Sequence, residues 1–439
     1  MSTDATRPSP APTATDWTVP GLRLRDVTLP VPLDHDDPTS PRLELFARLV
    51  TAEGGEDRPW LVYLQGGPGS EAPRLLDAST PPWLPRALRE HRVVLLDQRG
   101  TGRSTPVGLN APLPEGAIDG AATLAEATPA QQAAYLTEFR ADAIVRDAEL
   151  LREHLGAERW SLLGQSFGGF TALRYLSAAA SSLDTVLFTG GLPAVATDPA
   201  TLYATTWEGM AARSERYWAR FPEDRDRFRR LAERAAAGTL RLPDGSAVGV
   251  ERLRRLGHLL GASSGAERLH LLLELDPDTP AFAHDLAAAL PFSGRNPLYA
   301  VLHESCWADG GATAWAAERS QPAAVRDDPT LLAGEHMHRE AIAEDPELAP
   351  FAEAAALLAE HEWPRLYAED ALRAADVPAA AAVYYDDAYV PREHSMATAA
   401  LLPRMRTWVT SEYEHNGLRA SGEGVLDHLL DLVHGRRAP

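Results

Sequence analysis

Gly164-Gln165-Ser166-Phe167-Gly168, with Gly169 directly behind it, is a pattern from which a serine can act as a nucleophile. It lies between an apolar run of strand type, WSLLG, and a helical run, FTALRYLSAAA. A serine on a tight strand-to-helix turn takes strained backbone angles. Glycines two residues to either side are then needed, because a side chain there would strike the neighbouring strand or helix. The following helix aims its N-terminus at the reaction centre, which places the N–H of Phe167 to hold the oxyanion of a tetrahedral intermediate. Upstream, Gln65-Gly66-Gly67-Pro68-Gly69 leaves the apolar run WLVYL. A Gly-Gly turn at a strand end brings a backbone N–H close to a substrate carbonyl, so Gly67 is expected to be the second oxyanion donor. The charged turn Asp97-Gln98-Arg99-Gly100-Thr101-Gly102-Arg103-Ser104 reads as scaffold, its carboxylate and guanidinium groups cross-linking neighbouring loops.

Such turns need a framework of strands. LELFARLV, WLVYLQ, HRVVLL, WSLLGQS and TVLFTGGLP are short, apolar and rich in branched residues, the signature of a parallel sheet covered on both faces. A helical stretch from about Ala130 to His154 supplies one cover. Near Pro193 the strand signal stops, and down to about Ala375 amphipathic stretches such as DRFRRLAERAAA, VERLRRLGHLL and FAEAAALLAEHEW take over. Strand patterns resume at PAAAAVYYDD and RTWVTSEYEH, followed by a closing helix around GVLDHLLDLVHG. The expectation is an α/β fold: a mostly parallel sheet with helices on both faces, built from residues 17–192 and 376–439, with a helical insertion over 193–375. Residues 1–16, rich in Ser, Thr, Pro and Ala, are expected to form a disordered leader.

The 439 residues carry 62 acids against 42 bases, a formal charge of −20, which repels a polyanion and argues against a nucleic-acid partner. All the basic residues are arginine. Phosphate-loop, Schiff-base and kinase lysines are therefore excluded together. No apolar stretch approaches membrane-spanning length, and the single cysteine, Cys306, cannot form an internal disulfide, so a cytoplasmic location away from membranes is expected. Metal-ligand spacings such as HExxH do not occur, and no metal or other cofactor is expected.

GGPG, then DQRGTGRS, then GQSFGG together resemble the proline iminopeptidase branch of the α/β-hydrolases, and the likeness runs through the interrupted sheet to the C-terminus. The resemblance implies a serine peptidase that removes an N-terminal residue, proline above all, from short peptides with a free N-terminus, through an acyl-enzyme. It implies that the helical insertion is a cap. It also implies an acid trailed four residues later by proline, as in Asp387-Ala388-Tyr389-Val390-Pro391, with Asp386 the neighbouring competitor. The base then falls at His415 in TSEYEHNG, with His394 and His428 less well placed, which gives the chain order Ser166, Asp387, His415. An exopeptidase must offset the charge of a bound ammonium, and the family does so with cap glutamates. Glu304 in YAVLHESCW and Glu335 in LLAGEHM match best, with Glu208 a third choice, while Trp307 and Trp315 offer flat walls for a proline ring. The sequence departs from the family at Gln65, where histidine often stands. Two rivals remain: a serine hydrolase of another substrate, whether esterase, amidase or di- and tripeptidyl aminopeptidase, and a non-catalytic ligand-binding protein on the same fold.

Overall fold

WLVYL, RVVLLD, WSLLGQ and AAAAVY are apolar at nearly every position, and each becomes a strand buried on both faces. In the computed structural model, which describes residues 11–438, they join a single nine-stranded sheet. Its strands are β1 (Thr13–Val19), β2 (Leu22–Pro32), β3 (Arg42–Ala52), β4 (Trp60–Leu64), β5 (Arg92–Asp97), β6 (Trp160–Gln165), β7 (Leu183–Thr189), β8 (Ala379–Tyr384) and β9 (Met405–Thr410). Their spatial order is β1-β2-β3-β5-β4-β6-β7-β8-β9. The six strands from β4 to β9 run parallel, and β1 to β3 extend the sheet antiparallel. This is the α/β-hydrolase architecture that the motifs imply.

Alternate residues of the central strands enter two different cores, as the period of a strand requires. Val62, Leu64, Leu162 and Phe188 pack with Ile144 and Leu173 from the helices Ala141–His154 and Phe167–Ala179. Leu61, Tyr63, Leu163 and Ala382 pack instead with Ala87 and Leu429 from the helices Leu84–Glu90 and Gly424–Val433. Between β7 and β8 the chain leaves the sheet as helices, among them Pro199–Arg220, Pro222–Ala236, Gly265–Leu273 and Pro280–Ala289. These helices bury an apolar cluster of their own around Phe228, Leu256, Leu269 and Phe282. Among the described residues no helix is long and apolar enough to cross a membrane.

One expectation needs correction. Thr13 to Asp16, expected in the leader, belong to β1 and pair with Thr28 to Arg25 of β2. Asp16 is fixed there by Arg25 at 2.7 Å, and Trp17 lies under the guanidinium of Arg48. Residues 1–10 of the expected leader lie outside the described residues. The charged turn is scaffold: buried Arg99 donates to both carboxylate oxygens of Asp147 at 2.7 and 2.6 Å, and to the carbonyls of Leu33 and Glu138. Asp97 accepts the N–H groups of Ala72 and Arg103.

Candidate active site

Ser166 stands between β6 and the helix Phe167–Ala179, as its N-cap, with φ 55° and ψ −126°, a conformation that L-residues rarely adopt. The glycines around it are sterically obligatory. A Cβ at Gly168 would stand 1.9 Å from the carbonyl oxygen of Leu64, one at Gly164 would strike Gly168 and Gly169, and one at Gly169 would strike Gly191. The turn thereby carries Ser166 clear of the sheet into a cleft of about 400 Å³ that Gln65, Gly66, Gly67, His415, Glu335 and Tyr299 also line. Phe167 is the first residue of its helix, so its N–H has no partner within the helix. The backbone of Gly66 abuts Ser166, where a Cβ would approach the serine Cβ to 2.5 Å, and Gly67, at φ 59°, lies under the ring of Tyr299.

Two loops at the C-terminal ends of late strands bring the remaining groups. His415 follows β9 and Asp387 follows β8, and the His415 Nδ1 lies 2.9 and 2.8 Å from the two carboxylate oxygens of Asp387. Asp387 is buried and also accepts the N–H groups of Tyr389 and Val390 at 2.9 and 3.0 Å. Its neighbour Asp386 turns to solvent, 3.5 Å from Arg216. Burial opposes a charge on His415, but the charge and hydrogen bond of Asp387, assisted by Glu335, raise its pKa above the ordinary histidine value. With Nδ1 held by the carboxylate, Nε2 is the nitrogen left to exchange a proton. His428 is stacked on Trp408, and His394 lies in the helix Arg392–Ala399; neither lines the cleft.

The two cap glutamates part company. Glu335 lines the cleft with Ser166 and His415. It receives the hydroxyl of Tyr299, and the Nε2 atoms of His258 and His303 lie 3.7 and 3.8 Å from its carboxylate oxygens. Burial works against its charge, yet the close approach of His258 and the charges of His303 and His415 outweigh it and hold the carboxyl below the usual range. Glu304 does not reach the cleft. Its oxygens accept the N–H groups of Ala316 and Ala317 at 3.0 and 2.9 Å, and it faces a separate small cavity beside Trp315 and Met337. The expected ammonium-binding role of Glu304 is therefore corrected. Trp315 adopts a left-handed conformation before the short helix Ala316–Arg319, and the buried carboxylate satisfies the two amides which that turn leaves without partners. Burial pushes the Glu304 pKa up to about 7. Glu208 is exposed on the helix Pro199–Arg220.

Trp307 packs edge-on against Phe170 and borders a small cavity on which Glu335 also opens. Cys306 is buried, donates to the carbonyl of Leu302, and does not line the cleft. Tyr299, His258, Arg268, Asn416 and Arg419 also line the cleft, and the sequence does not single them out. Asn416 adjoins His415, and adjacency was the one clue available for it. The others sit on short helices and turns where nothing local distinguishes them from surface.

The chain from residue 59 to 240 matches the family model described as the α/β hydrolase fold. Over 435 residues it is 41% identical to a proline iminopeptidase of Aeromonas sobria, covering 95% of this chain and 98% of that one. A proline iminopeptidase of Aspergillus aculeatus is 31% identical over 430 residues, covering 92% of each. The crystal structure of a proline iminopeptidase from Mycobacterium smegmatis aligns with 93% of this chain and 100% of that chain, at 17% identity and a TM-score of 0.44.

Proposed function

Because this chain belongs to the proline iminopeptidase family of α/β-hydrolases, we propose that it is a serine exopeptidase releasing N-terminal proline from short peptides. The observation that carries the reading is a largely enclosed carboxylate, Glu335, lining the same cleft as Ser166 and His415. The groups that face this carboxylate are histidines, whose charge is not permanent, and the ammonium of a peptide N-terminus supplies a fixed one where the scissile carbonyl can reach the serine.

His415 Nε2 takes the proton of Ser166 as the hydroxyl oxygen attacks the carbonyl of the first residue, and Asp387 holds the imidazole in the required tautomer and stabilises its cationic form. The N–H groups of Phe167 and Gly67 receive the oxyanion. Collapse of the tetrahedral intermediate expels the amine of the shortened peptide, protonated by His415. Water, activated by the same imidazole, then releases proline from the acyl-enzyme. Residues 193–375 serve as the cap, supplying Glu335, Tyr299 and His258 over a core that starts at Thr13, runs to Leu192 and resumes at Asp376. A lone reduced thiol at Cys306 suits a cytoplasmic peptidase.

The test compares chromophore release from a prolyl amide with a free nitrogen, the same amide acylated on nitrogen, and a short-chain ester. Wild type should turn over the free-amine substrate and reject the acylated one, and Ser166→Ala should abolish turnover. Glu335→Gln should cost about 30-fold or more in kcat/KM on the prolyl amide, the scale of removing one partner from a buried charge pair. Equal cleavage of the acylated amide or the ester would replace this reading with a general amidase or esterase.

A further inference from the structure

Two guanidinium groups stand on the solvent side of the cleft with no carboxylate to answer them. Arg268, in the helix Gly265–Leu273, and Arg419, in the turn of helix Gly417–Ala420, both line the cavity that holds Ser166, His415 and Glu335. Both are exposed, and among the described residues neither takes part in an ion pair. Acids close to them in the chain are committed elsewhere: Glu267 to Arg220 at 2.5 Å, Glu414 to Arg213 at 2.7 Å, and Glu423 to Arg89. Among the described residues the cleft is lined by a single acid, Glu335, whose side chain is only 13% exposed, while both arginines are exposed. In a chain of formal charge −20, unopposed positive charge at one opening is a local exception. Low-dielectric walls strengthen its pull on an anion.

We propose that Arg268 and Arg419 receive the C-terminal carboxylate of the substrate, which makes free di- and tripeptides the preferred substrates. This rests on the aminopeptidase reading and adds the other end of the substrate to it. A short peptide in water is a zwitterion. Its ammonium suits Glu335 on the buried side, and its carboxylate suits guanidinium groups, whose planar forks match carboxylate geometry. The volume of about 400 Å³ falls at the lower end for a small-molecule cleft and suits two or three residues better than a long chain. The loop carrying Ser263 fixes the spacing, because its N–H and hydroxyl both donate to Asn416 at 3.0 and 2.9 Å, tying the element before Arg268 to the segment before Arg419.

The experiment measures kcat/KM for Pro-Ala and Pro-Ala-Ala as free acids and as C-terminal amides, in wild type, Arg268→Gln, Arg419→Gln and Arg268→Lys, at low and high salt. Wild type should prefer the acids by about tenfold at low salt, the scale of one hydrogen bond to a charged group, with most of the difference in KM. High salt and either glutamine substitution should reduce the preference, and Arg268→Lys should retain part of it. Because the acid-to-amide ratio is taken within each protein, any effect of a substitution on His415 or on the folded fraction cancels. Equal turnover of acid and amide by wild type, or a preference that both glutamine variants keep, overturns the carboxylate assignment and leaves the aminopeptidase reading standing. Failure of wild type to cleave either form overturns both.

Discussion

Asp386 and Asp387 are neighbours in the chain and opposites in the fold, one facing Arg216 and solvent and the other buried against His415. The acid that touches the imidazole sets its proton affinity, and this gives a signed pH prediction. Catalysis needs neutral His415, and its pKa is raised, so kcat/KM should fall as pH drops through a value above the ordinary 6.5. In Asp387→Asn the larger raising charge is gone and only the weaker one of Glu335 still opposes burial, so the acid limb should move to lower pH while kcat falls by about 10³–10⁴-fold. A pH profile of the variant with an unmoved acid limb would remove Asp387 from this role. At this scale the sequence was legible where spacing around a turn determines chemistry, as at Ser166, and where a strand end locates a loop, as at Asp387 and His415. It was not legible for the glutamates. Glu304 and Glu335 lie in similar irregular stretches, and the difference between them is whether distant amides or the cleft receive the carboxylate.

The turn around Ser166 is an element built against its own backbone preference. A non-glycine residue held at φ 55° stores of order 1–3 kcal/mol, which the packing of Gly164, Gly168 and Gly169 against strand and loop enforces. Ser166→Gly should therefore unfold at higher denaturant than Ser166→Ala, by about 1 kcal/mol, although both are inactive. Equal midpoints would mean that the conformation carries little strain. The strands flanking this turn were read correctly because they are apolar on both faces. β2 was missed for a physical reason: LRLRDVTLPVP alternates buried and exposed residues and carries Pro30 and Pro32, which weaken a strand assignment. It is nonetheless paired along its whole length with β3.

For the whole molecule, function depends on a cap lying over a core, and a few polar contacts set that arrangement. Arg213, on the helix Pro199–Arg220, reaches across to Glu414 beside His415 at 2.7 Å and donates to the carbonyl of Leu260 at 2.9 Å. Tyr389, beside Asp387, donates to the carbonyl of His258 at 2.5 Å. Arg213→Met should lower kcat by releasing the His415 loop and should destabilise the protein by about 1–3 kcal/mol, since the half-buried Glu414 loses its partner. Thermal melts and kcat on a prolyl amide would check both effects, and unchanged kcat would mean that the loop is rigid without this link. Helices between β7 and β8 were legible because helical and strand periods differ. The residues they send into the cleft were not, because which side chains reach the cleft depends on how the cap docks.

The strand order also imposes a timetable. β7 is covered on its outer edge by β8, which the ribosome produces roughly 190 residues later. At about 5–20 residues per second this leaves the backbone donors and acceptors of an apolar central strand bare for about 10–40 s in every newborn chain. The inserted cap thus gives the finished enzyme its substrate cleft and gives the nascent one a long interval of adhesiveness, during which a chaperone or a second nascent chain can reach that edge before the protein's own C-terminal strands exist.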